Sequence, residues 1–300
     1  MITRRGLLKA LGGLVFTGFA TSSYAFGIEP MLRLRTAEYR PRPANWPEAL
    51  KLRIVALADI HACEPWMSAK RIGRICEAAN ALDGDLIVLL GDYASGMNLV
   101  TGYVHSNDWS KAMSILRAPL GVHAIMGNHD WWEDLTAQGA GGGDTFGHRA
   151  LRDVGVDVYA NTARRLEKDG HAFWLAGLED QLALRPGKRW SRKSFVGLDD
   201  LDGTLAQVTD DAPVILLAHE PDIFPRVPSR VCLTLSGHTH GGQVRFLGYA
   251  PVVPSAYGNR YAYGHVVEQG RDIIISGGVG CSIAPIRFGS PPEITVIELG

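Results

Sequence analysis

Ile54-Val55-Ala56-Leu57-Ala58-Asp59-Ile60-His61 is a short apolar run that stops on two residues with metal-type donor atoms. The same arrangement recurs along the chain. Leu86–Leu90 leads into Gly91-Asp92, and Val122–Met126 leads into Gly127-Asn128-His129-Asp130. Val214–Ala218 leads into His219, and Val231–Leu235 leads into Gly237-His238-Thr239-His240. Short runs rich in branched apolar residues read as buried strands. In open α/β sheets, ligands gather beyond the carboxyl ends of the strands. The spacing therefore predicts that these distant Asp, Asn and His residues meet in one two-metal hydrolytic centre.

Between these runs the pattern alternates with helices. A helix over about Ser68–Leu82 places Ile72, Ile75, Cys76 and Ala79 on one face. Another over about Trp109–Arg117 precedes the strand Val122–Met126, and a third covers Phe146–Asp153. Strand–helix–strand alternation implies parallel βαβ units and an α/β fold. Further strands are expected near Val156–Tyr159 and Phe173–Leu178. In the last third, Val244–Leu247, Ile273–Ser276 and Ile294–Leu299 point to a second sheet packed on the first. Gly139–Gly143 reads as a flexible loop, either part of an active-site rim or a surface insertion.

The chain has 300 residues, 46% hydrophobic and 20% charged, with a net charge of −1. That is globular composition with room for a sizeable core. No basic block of the kind that binds nucleic acid is present. Residues 1–25 carry Arg4-Arg5, a Gly-rich apolar stretch from Ala10 to Ala20, and Ser23-Tyr24-Ala25. They look like a twin-arginine export signal cleaved after Ala25. The apolar stretch is shorter than the roughly 18–20 residues that span a bilayer, and retention by an uncleaved signal is the alternative. Residues 26–50 form an N-terminal arm rich in Arg and Pro. Its arginines either touch anionic lipid or belong to a solvated linker. Residues 51–300 form the catalytic domain. Cys63, Cys76, Cys232 and Cys281 are too scattered for a zinc knuckle. Cys76 and Cys232 read as core, and Cys63 as a pocket wall rather than a ligand.

The five strand-end blocks, in this order, resemble the signature of the calcineurin-like metallophosphoesterases. Ala218-His219-Glu220-Pro221-Asp222, Gly237–Gln243 and Pro285-Ile286-Arg287-Phe288-Gly289 further resemble the bacterial YkuE/YaeI-type phosphodiesterase branch. The resemblance implies two packed mixed β-sheets flanked by helices, a four-layer α/β/β/α sandwich. It implies that Asp59, His61 and His240 hold one metal, that Asn128, His219 and His238 hold the other, and that Asp92 bridges them. His129 would be the catalytic group that assists the leaving oxygen. Asp130, Asp180 and Arg287 are candidates for supporting the site or touching substrate. A nitrogen and oxygen donor set without thiolates suits manganese, iron or zinc. After Gly91-Asp92 the phosphoprotein phosphatases continue Val-Asp-Arg-Gly. Here Tyr93-Ala94-Ser95-Gly96 lacks that arginine clamp, which argues against phosphoprotein.

The activity implied is hydrolysis of a phosphodiester or pyrophosphate bond by metal-bound hydroxide. The alternatives are a phosphomonoesterase, an enzyme like UDP-2,3-diacylglucosamine pyrophosphohydrolase, and a non-catalytic metal-binding scaffold. The expected partners are a phosphorylated small molecule or lipid, a peripheral membrane contact, and the twin-arginine translocase during export. The expected location is the periplasm or the outer face of the cytoplasmic membrane. His105, His123, His148, His171 and His265 match no block and read as ordinary core or surface residues.

Overall fold

A computed structural model describes residues 3–186 and 195–300; Met1 and Ile2 of the expected signal lie outside it. Helix α1 (Arg4–Ser23) passes through one wide turn, Tyr24–Ile28, into α2 (Glu29–Leu32), and β1 (Arg35–Tyr39) follows. The first βαβ units are β2 (Leu52–Leu57), β3 (Cys63–Glu64), α3 (Ala69–Asn80), β4 (Leu86–Leu89), β5 (Gly102–Tyr103), α4 (Ser106–Met113) and β6 (Val122–Ala124). Next come α5 (Asn128–Trp132), α6 (Leu135–Ala140), α7 (Phe146–Asp153), β7 (Asp157–Val158), β8 (Thr162–Lys168) and β9 (His171–Gly177). The chain closes with α8 (Leu201–Leu205), β10 (Val214–Leu217), β11 (Val231–Ser236), β12 (Gly264–Glu268), β13 (Arg271–Ile275) and β14 (Glu293–Leu299).

Two six-stranded mixed sheets result, ordered β1-β14-β2-β4-β6-β7 and β12-β13-β11-β10-β9-β8. Alternation along each strand explains why they stack. On β2, Ile54 and Ala56 point between the sheets, where they meet Val88, Phe173, Ile215, Leu217, Leu233 and Ile274. Val55 and Leu57 point the other way, onto Ile72, Ile75 and Cys76 of α3 and Trp109 of α4. The outer face of the second sheet is covered through Leu216, Ile273 and Ile275 by Leu201, Phe224 and Tyr261. Burying each such aliphatic side chain is worth about 1.5–3 kcal/mol. A sheet apolar on both faces must therefore be covered twice, which yields the four layers α/β/β/α. β2, β4 and β6 run parallel in the first sheet, as β9, β10, β11 and β13 do in the second.

Several expectations change. The arm is helical as far as Leu32 and extended only after it, and it is no free linker: β1 pairs in parallel with β14 through Thr36–Ile294 and Glu38–Val296. The last apolar run joins the first sheet, where β14 pairs antiparallel with β2. Val244–Leu247 is not a strand; it makes single bridges, Val244 to Phe288 and Phe246 to Tyr249. The glycine run is half helix. Gly139 and Ala140 end α6, and Gly141, at φ 70°, caps it in the left-handed conformation that glycine adopts without cost. None of this run lines the cavity described below. The helical stretch Arg4–Leu32 outlasts the Ala10–Ala20 core and is long and apolar enough to cross a membrane by length and composition, a property signal sequences share.

Candidate metal centre

Because both sheets run their central strands the same way, the ends of β2, β4, β6, β10 and β11 meet at one edge of the sandwich. There the backbone turns sharply. Asp59, His61, Asp92, His238 and His240 have φ of 57°, 48°, 58°, 68° and 52°. Left-handed backbone costs an L residue roughly 1–2 kcal/mol and persists where surrounding contacts over-determine it, as at functional sites. Here the contacts cross between strand ends. The Asp59 N–H donates to the Gly91 carbonyl at 3.0 Å and the His61 N–H to the Asp92 carbonyl at 2.9 Å. The His238 N–H donates to Asp59 Oδ1 at 2.9 Å.

The turns bring the predicted donors together. Asp59, His61 and His240 form one cluster, and Asp92, His219 and His238 another, each with donor atoms within 4.8 Å of one another. His61 Nε2 faces His240 Nε2 at 3.0 Å, and Asn128 Oδ1 faces His238 Nδ1 at 2.8 Å. Asp92 Oδ2 lies 3.5 Å from His61 Nε2 and 3.3 Å from His219 Nε2, between the two clusters. All seven are buried. Buried polar atoms are normally hydrogen-bonded, yet Asp59 Oδ2 and His219 Nε2 complete no hydrogen bond. The Nδ1 atoms of His61 and His219 face the carbonyls of Ala94 and Leu90, at 3.1 and 2.6 Å. A proton on each Nδ1 leaves Nε2 as a lone pair turned inward. The donor set thus fits divalent cations.

Charge follows burial. Burial pushes the Asp59 carboxyl up to about 7 and the His61 imidazole down to about 3. Burial, with His61 and Arg287 nearby, holds His240 well below its usual value. Burial alone would raise Asp92, but the His219 and His129 imidazoles hold it well below the carboxylate range. His129 is drawn down by burial and raised further by Asp92 and Glu133, ending above the usual imidazole value. His129 also comes within 4.8 Å of His61 and Asp92. Its Nε2 faces Ser282 Oγ at 3.4 Å and its Nδ1 faces Glu133 at 3.6 Å.

The centre forms the floor of a cavity of about 410 Å³ lined by Asp92, Asn128, His129, Arg185, His238 and His240, among others. Arg185 gives the wall a positive charge. It lies 4.9 Å over the Trp132 ring and 3.2 Å from Glu133. No motif marked Arg185 or Trp132: Trp132 ends α5, just past the Asn128-His129-Asp130 block, and Arg185 follows β9 in a stretch with no sequence signal of its own. Glu220 is a further addition: its Oε1 lies 4.0 Å from His238 Nδ1.

The supporting candidates separate. Asp130 orients no imidazole; its two oxygens accept the backbone N–H groups of Asp92, Tyr93, Ala94 and Gly127 at 2.9–3.0 Å. Asp180 lies with Glu220 beside His219, and burial together with the Glu220 carboxylate pushes it well above the usual range. Arg287 is wholly buried and cannot reach substrate. It donates to the carbonyls of Gly277, Gly278, Gly280 and Ser290, beneath His240. Cys63 sits in a small apolar cluster with Met97 and Cys281, and burial keeps it a thiol. Cys76 and Cys232 lie in the cores. His148 and His265 pair with Glu179 and Asp272, and His123 faces Tyr159.

Two glycines let the strand ends close. A Cβ on Gly127 would stand 2.4 Å from Asp92 Oδ1 and 2.7 Å from His219 Cε1. Gly91, at φ 94°, would place one 2.6 Å from the Gly127 nitrogen.

Residues 52–242 match the family model described as calcineurin-like phosphoesterase. The chain is 30% identical over 306 residues to an uncharacterized metallophosphoesterase, YkuE, of Bacillus subtilis, covering 99% of this chain and 98% of that protein. It is 27% identical to the phosphodiesterase YaeI of Escherichia coli, with all of both chains covered. Among solved structures, a dimetal phosphatase from Danio rerio aligns at a TM-score of 0.39 and 14% identity, over 76% of this chain and 88% of that one. With the family signature spread over five strand ends and the family model matched across nearly two-thirds of the sequence, this chain belongs to the calcineurin-like phosphoesterases.

Proposed function

We propose that the chain hydrolyses a phosphodiester or pyrophosphate bond at a centre of two metal ions. Asp59, His61 and His240 would hold one ion, Asn128, His219 and His238 the other, and Asp92 would touch both. The observation that carries this reading is the place of Asp92 Oδ2, within 3.5 Å of imidazoles from both clusters. When bound, two ions supply Lewis acidity, activating water and drawing charge from the phosphoryl oxygens.

The remaining work falls to the chain's own side chains. His129 faces the cavity and holds a proton, which it delivers to the leaving oxygen. Such assistance is typically worth about 10²–10⁴-fold. Arg185 offers an anionic substrate a positive wall. Asp130 and Gly127 fix the backbone from which Asp92 projects. The reading includes export by the twin-arginine route, supported by Arg4-Arg5 and the apolar helix behind them.

The test is hydrolysis of bis-p-nitrophenyl phosphate and of p-nitrophenyl phosphate by protein loaded separately with manganese, iron and zinc. The diester is expected to turn over faster. A preference for the monoester reassigns the chain to the phosphomonoesterases, and inertness toward both leaves only a metal-binding scaffold.

A further inference from the structure

The cavity lining and the turn that follows its Gln243 in sequence present apolar side chains in conformations that turn chemistry avoids. Phe246-Leu247-Gly248-Tyr249 is a two-residue hairpin turn. The Phe246 N–H donates to the Tyr249 carbonyl at 2.8 Å, and the Tyr249 N–H to the Phe246 carbonyl at 3.0 Å. Leu247 and Gly248 have φ of 50° and 87°. Positive φ at both central residues favours Asn-Gly, yet leucine fills the first position and is fully exposed. Ile283, on the neighbouring rim, has φ 64° and is 84% exposed; a β-branched residue at positive φ is an outlier. Val252 is 76% exposed, and both Val252 and Ile283 line the cavity. Neither packing nor local geometry accounts for exposed aliphatics at these positions.

The rim continues into the N-terminal helix. The Phe246 ring packs on Phe288 at 5.3 Å, and Phe288 takes the edge of Tyr24 at 6.0 Å. Tyr24 follows α1, whose Leu14, Val15, Phe16 and Phe19 are exposed. The two segments that form this surface, Gly241–Val267 and Cys281–Pro292, contain no Asp or Glu. The acids around them, Glu133, Asp222 and Glu268, are engaged by Arg185, Ser255 and Arg260. Arg245 donates to the Gly248 carbonyl directly behind Leu247, and the exposed Arg33 donates to the Tyr24 hydroxyl.

We infer that the N-terminal segment stays uncleaved, that this rim docks on a bilayer containing anionic lipid with α1 in the same membrane, and that the cavity takes a phosphodiester whose acyl chains remain in the bilayer. Leu247, Ile283 and Val252 enter the acyl region while the arginines meet the head groups. The substrate half of the inference rests on the phosphoesterase reading; the docking half does not.

Full-length Leu247→Cys offers one accessible thiol, because the native cysteines are buried. With a nitrobenzoxadiazole label there, mixed phosphatidylcholine and phosphatidylglycerol vesicles carrying acyl-chain doxyl lipid should quench emission at least twofold. The same label at Glu167→Cys should not respond, since Glu167 pairs with Ala172 near the start of β9, opposite the metal end. Equal, weak quenching at both positions, with all protein bound to vesicles, would overturn docking. Leu247→Asp, which suits positive φ, should slow cleavage of vesicle phosphatidylglycerol at least tenfold while hydrolysis of soluble bis-p-nitrophenyl phosphate is unchanged. Equal effects on both substrates would overturn the lipid assignment. Wild-type protein inert on the soluble diester would overturn the phosphoesterase reading and the lipid substrate with it, and the labelling would still decide docking.

Discussion

The buried Asp130 carboxylate holds Asp92 from behind, its Oδ2 accepting the Asp92 backbone N–H at 2.9 Å. The same carboxylate takes the N–H groups of Tyr93, Ala94 and Gly127. Two strand ends, those of β4 and β6, are tied to one side chain, which fixes where the shared donor stands between the two clusters.

Asp130→Asn should therefore damage fold and site together. The amide oxygen can still accept, but the amide nitrogen faces backbone donors. Each buried donor left unpaired costs about 1–3 kcal/mol, so a Tm roughly 5–15 °C lower is expected, with reduced metal content. Thermal unfolding and elemental analysis check this; an unchanged Tm would show that these bonds are dispensable.

His129→Ala should separate catalysis from metal binding. Turnover on the soluble diester should fall by about 10²-fold or more, while both ions stay bound. Loss of an ion in elemental analysis would make His129 a ligand, the role its closeness to His61 and Asp92 also permits.

Gly127→Ala introduces a Cβ 2.4 Å from Asp92 Oδ1 and 2.6 Å from the Asp92 nitrogen. Asp92 or the β6 end must move, and displacements near 1 Å cost roughly 10²-fold in rate. Gly139→Ala, where the Cβ meets nothing within 4 Å, should leave activity unchanged. Similar rates for both variants would contradict the close approach at Gly127.

Arg287→Met tests a structural assignment. Removing the guanidinium leaves several carbonyls beneath His240 without donors, and each buried polar group left unpaired costs about 1–3 kcal/mol. Stability should fall while KM for the soluble diester holds. A raised KM with normal stability would return Arg287 to substrate binding.

The apolar runs made the central strands legible because those strands are buried on both faces, and the donors at their ends made the centre legible with them. What escaped was whatever burial does not mark. β8 carries Arg164, Arg165, Glu167 and Lys168 on a half-exposed edge and shows no apolar run. β1 is an exposed edge that looks like a linker until β14 pairs with it. The run Ile294–Leu299 announces a strand but not its sheet, which depends on antiparallel pairing with β2. Val244–Leu247 has strand composition but makes only a single bridge at Val244 before entering the exposed turn Phe246–Tyr249. The left-handed backbone at Asp59, Asp92 and His238 has no sequence signature, since the side chains there are chosen for their donor atoms. Arg287 carries the charge of a substrate clamp, and only its burial shows that it braces backbone.

The most direct test of the two-ion centre is hydrolysis of bis-p-nitrophenyl phosphate as manganese is titrated into metal-stripped protein. Two clusters joined by Asp92 predict activity that saturates at two ions per chain. Saturation at a single ion, or no hydrolysis at full occupancy, would contradict the account.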